Sequence, residues 1–228
     1  MVNGGAPDST IVKIREFIIH GFRILPIVLG SFAFIIGVGH ANMAYFFLFV
    51  GIALLVPIAN MLSNQLFGWL FSLGVPEALY KIKAQPGGGC SVFGEFANTG
   101  DTVSYWLAAL VFFVSYMFIN AFNLYNRPAQ PNAPENKVDA RKTQAAMAMA
   151  ILLLFGIGML LYRFFTTTCE TVLGLPVSFA VFIPLAYYWY RLLVSCSGDR
   201  LTDLFGVVNR IMVEPKNSGA GAVCLPVA

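Results

Sequence analysis

Four long stretches of this sequence carry no Asp, Glu, Lys or Arg side chain. The first is 53 residues long and lies between Arg23 and Glu77. The other three, of 25, 20 and 20 residues, begin after Asp101, Lys142 and Glu170. A helix needs about 20 apolar residues to cross a bilayer core, and a formal charge at its centre costs about 3 kcal/mol. The pattern therefore predicts an integral membrane protein built from helical spans.

The longest uncharged stretch is long enough for two helices, which together form the predicted segment 24–71. Its weakest point is residues 39–42, where Gly, His, Ala and Asn interrupt the apolar run. We predict a turn there, with a first helix over 24–38 and a second over 44–71 that is kinked at Pro57. Because the first helix is short, the pair either crosses the membrane fully or forms a re-entrant hairpin.

Three further spans follow the helix pair. The remaining uncharged stretches predict helices over 103–122, 143–163 and 172–191. Between them lie a loop at 72–102 and a proline-rich linker at 123–142. The predicted fold class is therefore all-α: a polytopic transmembrane helical bundle of about five spans, or of three spans plus a helical hairpin.

Both ends of the chain have the spacing of interfacial amphipathic helices. In 1–23, apolar residues recur at helical intervals from Ile11 to Phe22, which is typical of a segment lying in the headgroup region or extending the first span outward. In 192–228, the segment 199–213 predicts a second amphipathic helix. We interpret it as a helix that lies on the membrane or docks a partner, and the candidate docking residues are Asp199, Arg200, Asp203, Leu204, Phe205, Val208 and Arg210.

Tyrosine and tryptophan residues cluster near the ends of the predicted spans. These side chains favour the membrane–water interface because one part of the ring system is apolar and the other is polar. The predicted interface anchors are Trp69, Tyr105, Trp106, Tyr187, Tyr188, Trp189 and Tyr190.

Composition agrees with a lipid environment and argues against nucleic acid. Hydrophobic residues make up 58% of the chain, and charged residues only 11%, against about 25% in soluble domains. The net charge of +3 is small, and no basic face with interleaved aromatics marks a nucleic-acid groove. Under the five-span topology, eight basic residues fall on the carboxyl-terminal side and six on the other, which favours a cytoplasmic carboxyl terminus slightly.

The predicted topology sorts the four cysteines into two pairs. Cys90 and Cys169 fall on one side of the membrane, so they are candidates for a disulfide, while Cys196 and Cys224 fall on the other. Free thiols are the alternative, above all for a pair that faces a reducing compartment. With no CxxC motif and only two separated histidines, we expect neither a metal nor a cofactor.

The sequence contains no residues that we can assign to catalysis. We recognise no nucleophile with a neighbouring base, so we expect a protein that is not an enzyme. A small channel or carrier is one alternative, because proline and glycine breaks mark binding sites in carriers. Against it, no charged residue lies in the middle of a predicted span. A membrane subunit of a cellular complex is a third hypothesis.

Short motifs in the carboxyl-terminal third resemble a known family. They are Thr168 to Thr171 with Gly174, Tyr188 to Tyr190, Asp203 to Gly206 with Asn209 and Arg210, and Cys224 to Pro226. They resemble a family of multi-span membrane or minor capsid proteins from nucleocytoplasmic large DNA viruses. The resemblance implies a structural protein in the lipid membrane beneath an icosahedral capsid, with capsid or other virion membrane proteins as partners. It does not set the oligomeric state.

Overall fold

A computed structural model of the chain describes residues 21–82, 101–128, 135–167 and 170–197, together with Phe17 and Leu204. Regular structure in these segments is helical, and no strand occurs in them, so the predicted all-α fold class is confirmed. The helices are α1 (Leu25–Gly39), α2 (Met43–Ser72), α3 (Glu77–Tyr80), α4 (Tyr105–Asn126), α5 (Glu135–Tyr162) and α6 (Gly174–Ser197).

Four of these helices are long and apolar enough to cross a membrane, namely α2, α4, α5 and α6. The shortest of the four by this measure, α4, has 22 residues and is about 33 Å long at about 1.5 Å per residue. That length exceeds the hydrocarbon thickness of about 30 Å. Helix α1 is apolar but has only 15 residues.

The outer surface of the bundle is apolar, as expected for an integral membrane protein. Helix α5 is the clearest case, because only 17% of its apolar window is buried inside the protein. Its outward-facing residues include Ile151, Leu154, Ile157 and Leu161. A soluble protein of this size does not expose contiguous apolar surface on this scale, so lipid is the medium that fits these faces.

Helices α1 and α2 form a tight antiparallel hairpin. The predicted turn at 39–42 is confirmed, since α1 ends at Gly39 and α2 begins at Met43. Asn42 caps α2 by accepting a hydrogen bond from the Ala44 amide at 3.0 Å. The helices touch at Gly37, where a Cβ atom would lie 2.6 Å from the backbone nitrogen of Phe46. Glycine at this position therefore sets how closely the two helices approach.

Helix α4 is the centre of the bundle. More than half of its apolar window is buried, against a third or less for the other long helices. It packs against α2, α5 and α6, and Phe112 and Tyr116 are fully buried along it. Large apolar side chains on its neighbours turn outward, so α4 is the helix around which the others assemble.

The linker between α4 and α5 is shorter than the sequence suggested. The prediction was a proline-rich linker over 123–142, but α4 continues to Asn126 and α5 begins at Glu135. The segment 135–142 is polar and was therefore taken as loop, yet Glu, Lys, Ala and Arg are good helix formers. A helix that begins outside the hydrocarbon core can have a polar first turn, because its charged side chains there contact water.

The connections gather at two ends of the bundle. We call the end formed by Phe22, Asn64, residues 101–104, Arg163 and residues 170–174 the junction end, because hydrogen bonds join these segments to one another. The end formed by residues 40–42, Arg127 and the first turns of α5 is called the opposite end.

Candidate functional site

A polar cluster at the junction end joins four separate segments of the chain. Asn64, near the end of α2, supplies one side of it. Its Oδ1 accepts hydrogen bonds from the amides of Thr102 and Val103 at 3.1 and 2.8 Å, and its Nδ2 donates to the Val103 carbonyl at 3.0 Å. One amide side chain thus satisfies three backbone groups just before α4, where no helical partner is available to them.

A buried ion pair forms the middle of the cluster. The Nε of Arg163 donates to Oε1 of Glu170 at 3.0 Å, and both side chains are nearly inaccessible, at 4% and 2% exposure. The Ser104 hydroxyl donates to the same carboxylate oxygen at 2.6 Å. Ser104 also caps α4 by accepting from the Leu107 amide at 3.1 Å. The cap of α4 and the connection between α5 and α6 are therefore held by one carboxylate.

Trp106 ties the ion pair to the first helix. The guanidinium carbon of Arg163 lies 4.9 Å from the centre of the Trp106 ring, which is a cation–π geometry. The indole N–H of Trp106 donates to the Phe22 carbonyl at 2.8 Å, and the Phe22 ring packs on Tyr162 with 4.6 Å between centroids. The entry into α1 is thus anchored to the same cluster.

The start of α6 is fixed by Thr171. Its hydroxyl donates to the Thr102 carbonyl at 3.0 Å and accepts from the Gly174 amide at 2.8 Å. Gly174 lies so close to this point that a Cβ atom would meet the Thr102 carbonyl and the Thr171 hydroxyl. Only glycine allows α6 to begin against the segment that leads into α4.

The segments that flank the cluster are also paired by backbone hydrogen bonds. The amide of Leu173 donates to the Leu79 carbonyl at 3.1 Å, and the amide of Ile82 donates to the Asp101 carbonyl at 3.0 Å. Short helix α3 lies between these contacts, and its Tyr80 is buried. The junction end is therefore covered by a folded connection in the described residues that flank 83–100.

Burial dominates the electrostatics of the cluster. It raises the pKa of Glu170 above the ordinary value of 4.5, and the charge of Arg163 and the hydrogen bonds from Ser104 and Arg163 offset part of that effect. Burial likewise raises the pKa of the nearby Asp101 carboxyl. The second carboxylate oxygen of Glu170 and the hydroxyl of Thr102 are buried without a hydrogen-bond partner. The cluster retains free acceptor capacity that a water or a proton would satisfy.

This arrangement has the composition of a structural clamp. Each side chain in it bonds a helix cap, a backbone carbonyl or its ionic partner. Among the residues that the structure describes, no three His, Cys, Asp or Glu side chains are grouped as a metal site would require. The described part of the cluster thus consists of hydrogen-bond donors and acceptors that hold the helices together.

Comparisons with protein-family models, curated proteins and solved structures found no match to this chain. Its function must therefore be argued from its own residues.

The predicted interface anchors divide into exposed and buried groups. Trp69, Tyr187 and Tyr188 are exposed on the outside of the bundle, as anchors would be. Trp106 and Tyr190 are packed inside instead, at 1% and 7% exposure. Aromatic residues near span ends serve both purposes, and the sequence did not separate them because a buried indole needs a partner, here the Phe22 carbonyl, that lies far away in the chain.

Tyr105 and Trp189 occupy an intermediate position, since both pack partly against the core and bond a backbone carbonyl of α2. The Tyr105 hydroxyl donates to Ile52 at 3.3 Å, and the Trp189 indole donates to Phe47 at 3.2 Å. These two predicted anchors therefore fasten α4 and α6 to α2 through hydrogen bonds.

Several predicted site residues lie outside the described residues, so their placement stays a prediction. This holds for the candidate disulfide pair Cys90 and Cys169, for most of the 1–23 segment, and for six candidate docking residues: Asp199, Arg200, Asp203, Phe205, Val208 and Arg210. The seventh, Leu204, is 2% exposed and belongs to the main apolar core. Leu204 therefore packs on its own bundle and is not an exposed docking residue.

Sequence reasoning missed the polar cluster. Asn64 lies within the predicted helix 44–71 with no role of its own in the sequence analysis, and Arg163 and Glu170 serve there only as boundaries of uncharged stretches. The sequence does indicate the ion pair, because Arg163 and Glu170 have opposite charges and flank the short connection between two apolar stretches. Which serine or threonine bonds to them depends on how the helices pack, and the sequence does not show it.

Proposed function

We propose that this chain is a structural membrane protein of a large DNA virus particle, where it anchors the internal lipid membrane to the capsid. The spans of the bundle support the membrane part of this proposal. The short motifs of the carboxyl-terminal third, which resemble multi-span proteins of nucleocytoplasmic large DNA viruses, support the viral part. The protein would enter that membrane from a host membrane during assembly.

The observation that supports a structural role is that the polar groups bond helix ends to one another. At the junction end they join the beginnings of α4 and α6, the ends of α2 and α5 and the entry to α1. Within the described residues, the charged side chains lie at the ends of the spans and none lies at the middle of one. Hydrogen bonds and an ion pair hold the helices of this bundle together at one end, and the spans are apolar along their length. Both properties are those expected of a membrane anchor.

A small channel or carrier is the alternative function. The feature that would favour it is the π-helical turn Gly51–Leu55 within α2, which we call the α2 break. Carriers use unwound backbone carbonyls near the midplane to bind their substrates. Here the carbonyl of Ile52 at the break accepts the Tyr105 hydroxyl, and Gly51 is covered by Phe112 and Trp189. The break is thus filled by side chains of α4 and α6, which favours a structural role for it. A membrane subunit of a cellular complex is the third alternative, and it would share this packing.

Crosslinking mass spectrometry on the intact native particle tests the proposal. Lys81 and Lys137 are the matched reporters, because they lie at the junction end and the opposite end and so on opposite sides of the bilayer. Lys13 and Lys216, which lie outside the described residues, extend the coverage. We expect crosslinks to capsid proteins from Lys137 and Lys216, which the predicted topology places on one side, and none from Lys81.

Crosslinks confined to this chain, in a membrane where the protein is abundant and stable in detergent alone, would contradict an anchor. In that case ion or solute flux into liposomes carrying the purified protein is the next measurement. Flux that stops on Tyr105→Ala or Gly51→Leu substitution at the α2 break would establish the channel or carrier alternative. Crosslinks to cellular membrane subunits would instead support the third alternative.

A further inference from the structure

Arg141 at the opposite end is a buried cation that makes one hydrogen bond to the described residues. It lies in the second turn of α5, and the residue is 7% exposed. Its Nη2 donates to the backbone carbonyl of Arg127 at 2.5 Å, which links the beginning of α5 to the end of α4. Its Nε is buried without an acceptor. A guanidinium has five N–H donors, and the described residues accept a hydrogen bond from only one of its nitrogens.

No carboxylate compensates this charge within the described part of the chain. The ion pairs found there are Lys81 with Glu77 and Arg163 with Glu170, both at the junction end. The acidic residues closest in sequence, Asp139 and Glu135, precede Arg141 by two and six positions on the same helix. Residues at those spacings do not share a helix face. Burying a cation without a counter-charge lowers the stability of a protein, unless an anion from outside the chain pairs with it.

Arg141 also lies where α5 changes from polar to apolar residues. The polar first turns of α5 end at Gln144, and the apolar run begins at Ala145, which is buried in the bundle. The guanidinium is therefore at the boundary between the charged turns and the hydrocarbon core. This boundary is the headgroup level of the bilayer.

The charges around Arg141 favour an anion. At the opposite end, the described basic residues outnumber the acidic ones, with Arg127, Lys137, Arg141, Lys142 and Arg191 against Glu135 and Asp139. At the junction end the two signs balance, with Arg23, Lys81 and Arg163 against Glu77, Asp101 and Glu170. The excess of positive charge is thus specific to the end that holds Arg141.

We propose that Arg141 binds the phosphate of an anionic membrane lipid where the beginning of α5 lies against the end of α4. A planar guanidinium matches two oxygens of a phosphate group, and basic residues next to a span attract anionic headgroups. The neighbouring Lys142, which is exposed, adds positive charge beside this site. The site is independent of the viral anchoring role, since it requires only a bilayer that contains acidic lipid.

Lipid titration of the full-length protein in detergent, followed by native mass spectrometry, tests this site. The probes are dioleoyl phosphatidylglycerol, which is anionic, and dioleoyl phosphatidylcholine, which has a phosphate but no net charge. We expect tighter binding of phosphatidylglycerol, weakened about tenfold by Arg141→Gln because a charge-assisted hydrogen bond is lost. The matched control is Arg191→Gln, which removes the same charge from an exposed position at the same end and should change binding less than about twofold.

Two further measurements keep the proposal testable if Arg141→Gln fails to fold. The variant Arg141→Lys keeps the charge but not the planar fork, and should lower affinity by an intermediate factor. In the unmodified protein, preference for phosphatidylglycerol should persist in about 1 M salt, where the screening length is about 3 Å and surface attraction is lost.

Three outcomes would overturn the lipid site. Equal weakening by Arg141→Gln and Arg191→Gln would mean that only the general surface charge attracts lipid. Loss of the phosphatidylglycerol preference in high salt would mean the same. Displacement of bound phosphatidylglycerol by an equal concentration of inorganic phosphate would show that Arg141 binds free phosphate, and that the lipid is not its ligand.

Discussion

The hydroxyl of Tyr105 donates a hydrogen bond to the backbone carbonyl of Ile52, 3.3 Å away on another helix. This carbonyl lacks its helical partner for a reason visible in the sequence. The amide of Val56 bonds to Gly51 in the π-helical turn Gly51–Leu55, and the next residue, Pro57, has no N–H to give. Tyr105 therefore supplies from α4 the donor that proline removes from α2.

Tyr105→Phe should destabilise the bundle by about 1 kcal/mol, because the Ile52 carbonyl would be left in the protein interior without this donor. For a chain of this size, that loss lowers the melting temperature by about 2–4 °C. Thermal unfolding of the detergent-solubilised protein, followed by circular dichroism, measures the change.

The control for this prediction is Pro57→Ala, which restores a backbone N–H to α2. In the Pro57→Ala background, Tyr105→Phe should cost less than in the unmodified protein, since the helix then provides a donor of its own. An equal cost in both backgrounds would mean that the hydroxyl stabilises the bundle through some contact other than the Ile52 carbonyl.

Removal of one partner of the Arg163–Glu170 pair should be among the most damaging substitutions in the described residues. Glu170→Ala removes the acceptor that the Arg163 guanidinium and the Ser104 hydroxyl share, and we expect a loss of about 3–5 kcal/mol. Arg163→Gln should cost at least as much, because it also removes the cation–π contact with Trp106. Denaturant unfolding in mixed micelles gives both values.

The double variant Arg163→Gln with Glu170→Ala should lose less than the sum of the two single variants, because no uncompensated charge remains. Glu77→Gln is the matched surface control. It breaks the Lys81–Glu77 pair, which is exposed, and should change stability by less than about 1 kcal/mol. Additive losses in the double variant would contradict the coupling of Arg163 and Glu170.

The pKa of Glu170 sets the direction of a pH effect on stability. Burial raises this pKa above 4.5, so the folded state binds the proton more tightly than the unfolded state. The stability that Glu170 contributes is then fully present below about pH 4.5 and is lost as pH rises through the folded pKa. We expect the unmodified protein to lose stability relative to Glu170→Gln as pH rises over that window.

Unfolding midpoints of both proteins from about pH 4 to about pH 8 measure this difference. Asp101→Asn is the parallel variant, because burial also raises the pKa of Asp101 from its ordinary value of 3.8, and the pH effect should have the same sign. If the unmodified protein instead gains stability over Glu170→Gln as pH rises, the attraction of Arg163 outweighs burial and the raised pKa is wrong.

The span pattern of this fold was predictable because lipid imposes it on the sequence. Charged residues cannot occupy the hydrocarbon core cheaply, so the uncharged stretches mark α2, α4, α5 and α6 directly. The turn at residues 39–42 followed from local chemistry, since Asn42 is a good cap. The segment 135–142 was missed as helix because its polarity was taken to indicate a loop, although helices that leave the membrane carry such polar turns.

The polar cluster was not predictable in the same way. Asn64, Ser104 and Glu170 are far apart in the chain and have no shared spacing, and their bonds depend on how α2, α4 and α6 are placed. The same holds for Trp106, whose burial depends on α1 and α5. Periodicity reports which face of a helix is apolar, but it does not report which helix covers that face.

Glycines on the long helices provide a test of the packing itself. Gly156 and Gly158 lie two positions apart on α5, so they face different surroundings. A Cβ at Gly156 would lie 3.3 Å from Val114 of α4, whereas a Cβ at Gly158 would meet nothing within 4 Å. Gly158→Ala should therefore stabilise the protein by about 0.4–1 kcal/mol through helix propensity alone. Gly156→Ala should gain less, because Val114 must move.

Gly51→Ala should be destabilising, and it completes the series. A Cβ there would lie 2.8 Å from the Phe112 ring and 3.1 Å from the Trp189 indole nitrogen. Overpacking of this kind costs about 1–3 kcal/mol. Thermal unfolding of the three alanine variants should rank them Gly158, Gly156, Gly51 in falling stability. A Gly51→Ala protein as stable as Gly158→Ala would mean that α4 and α6 do not pack against the α2 break as described.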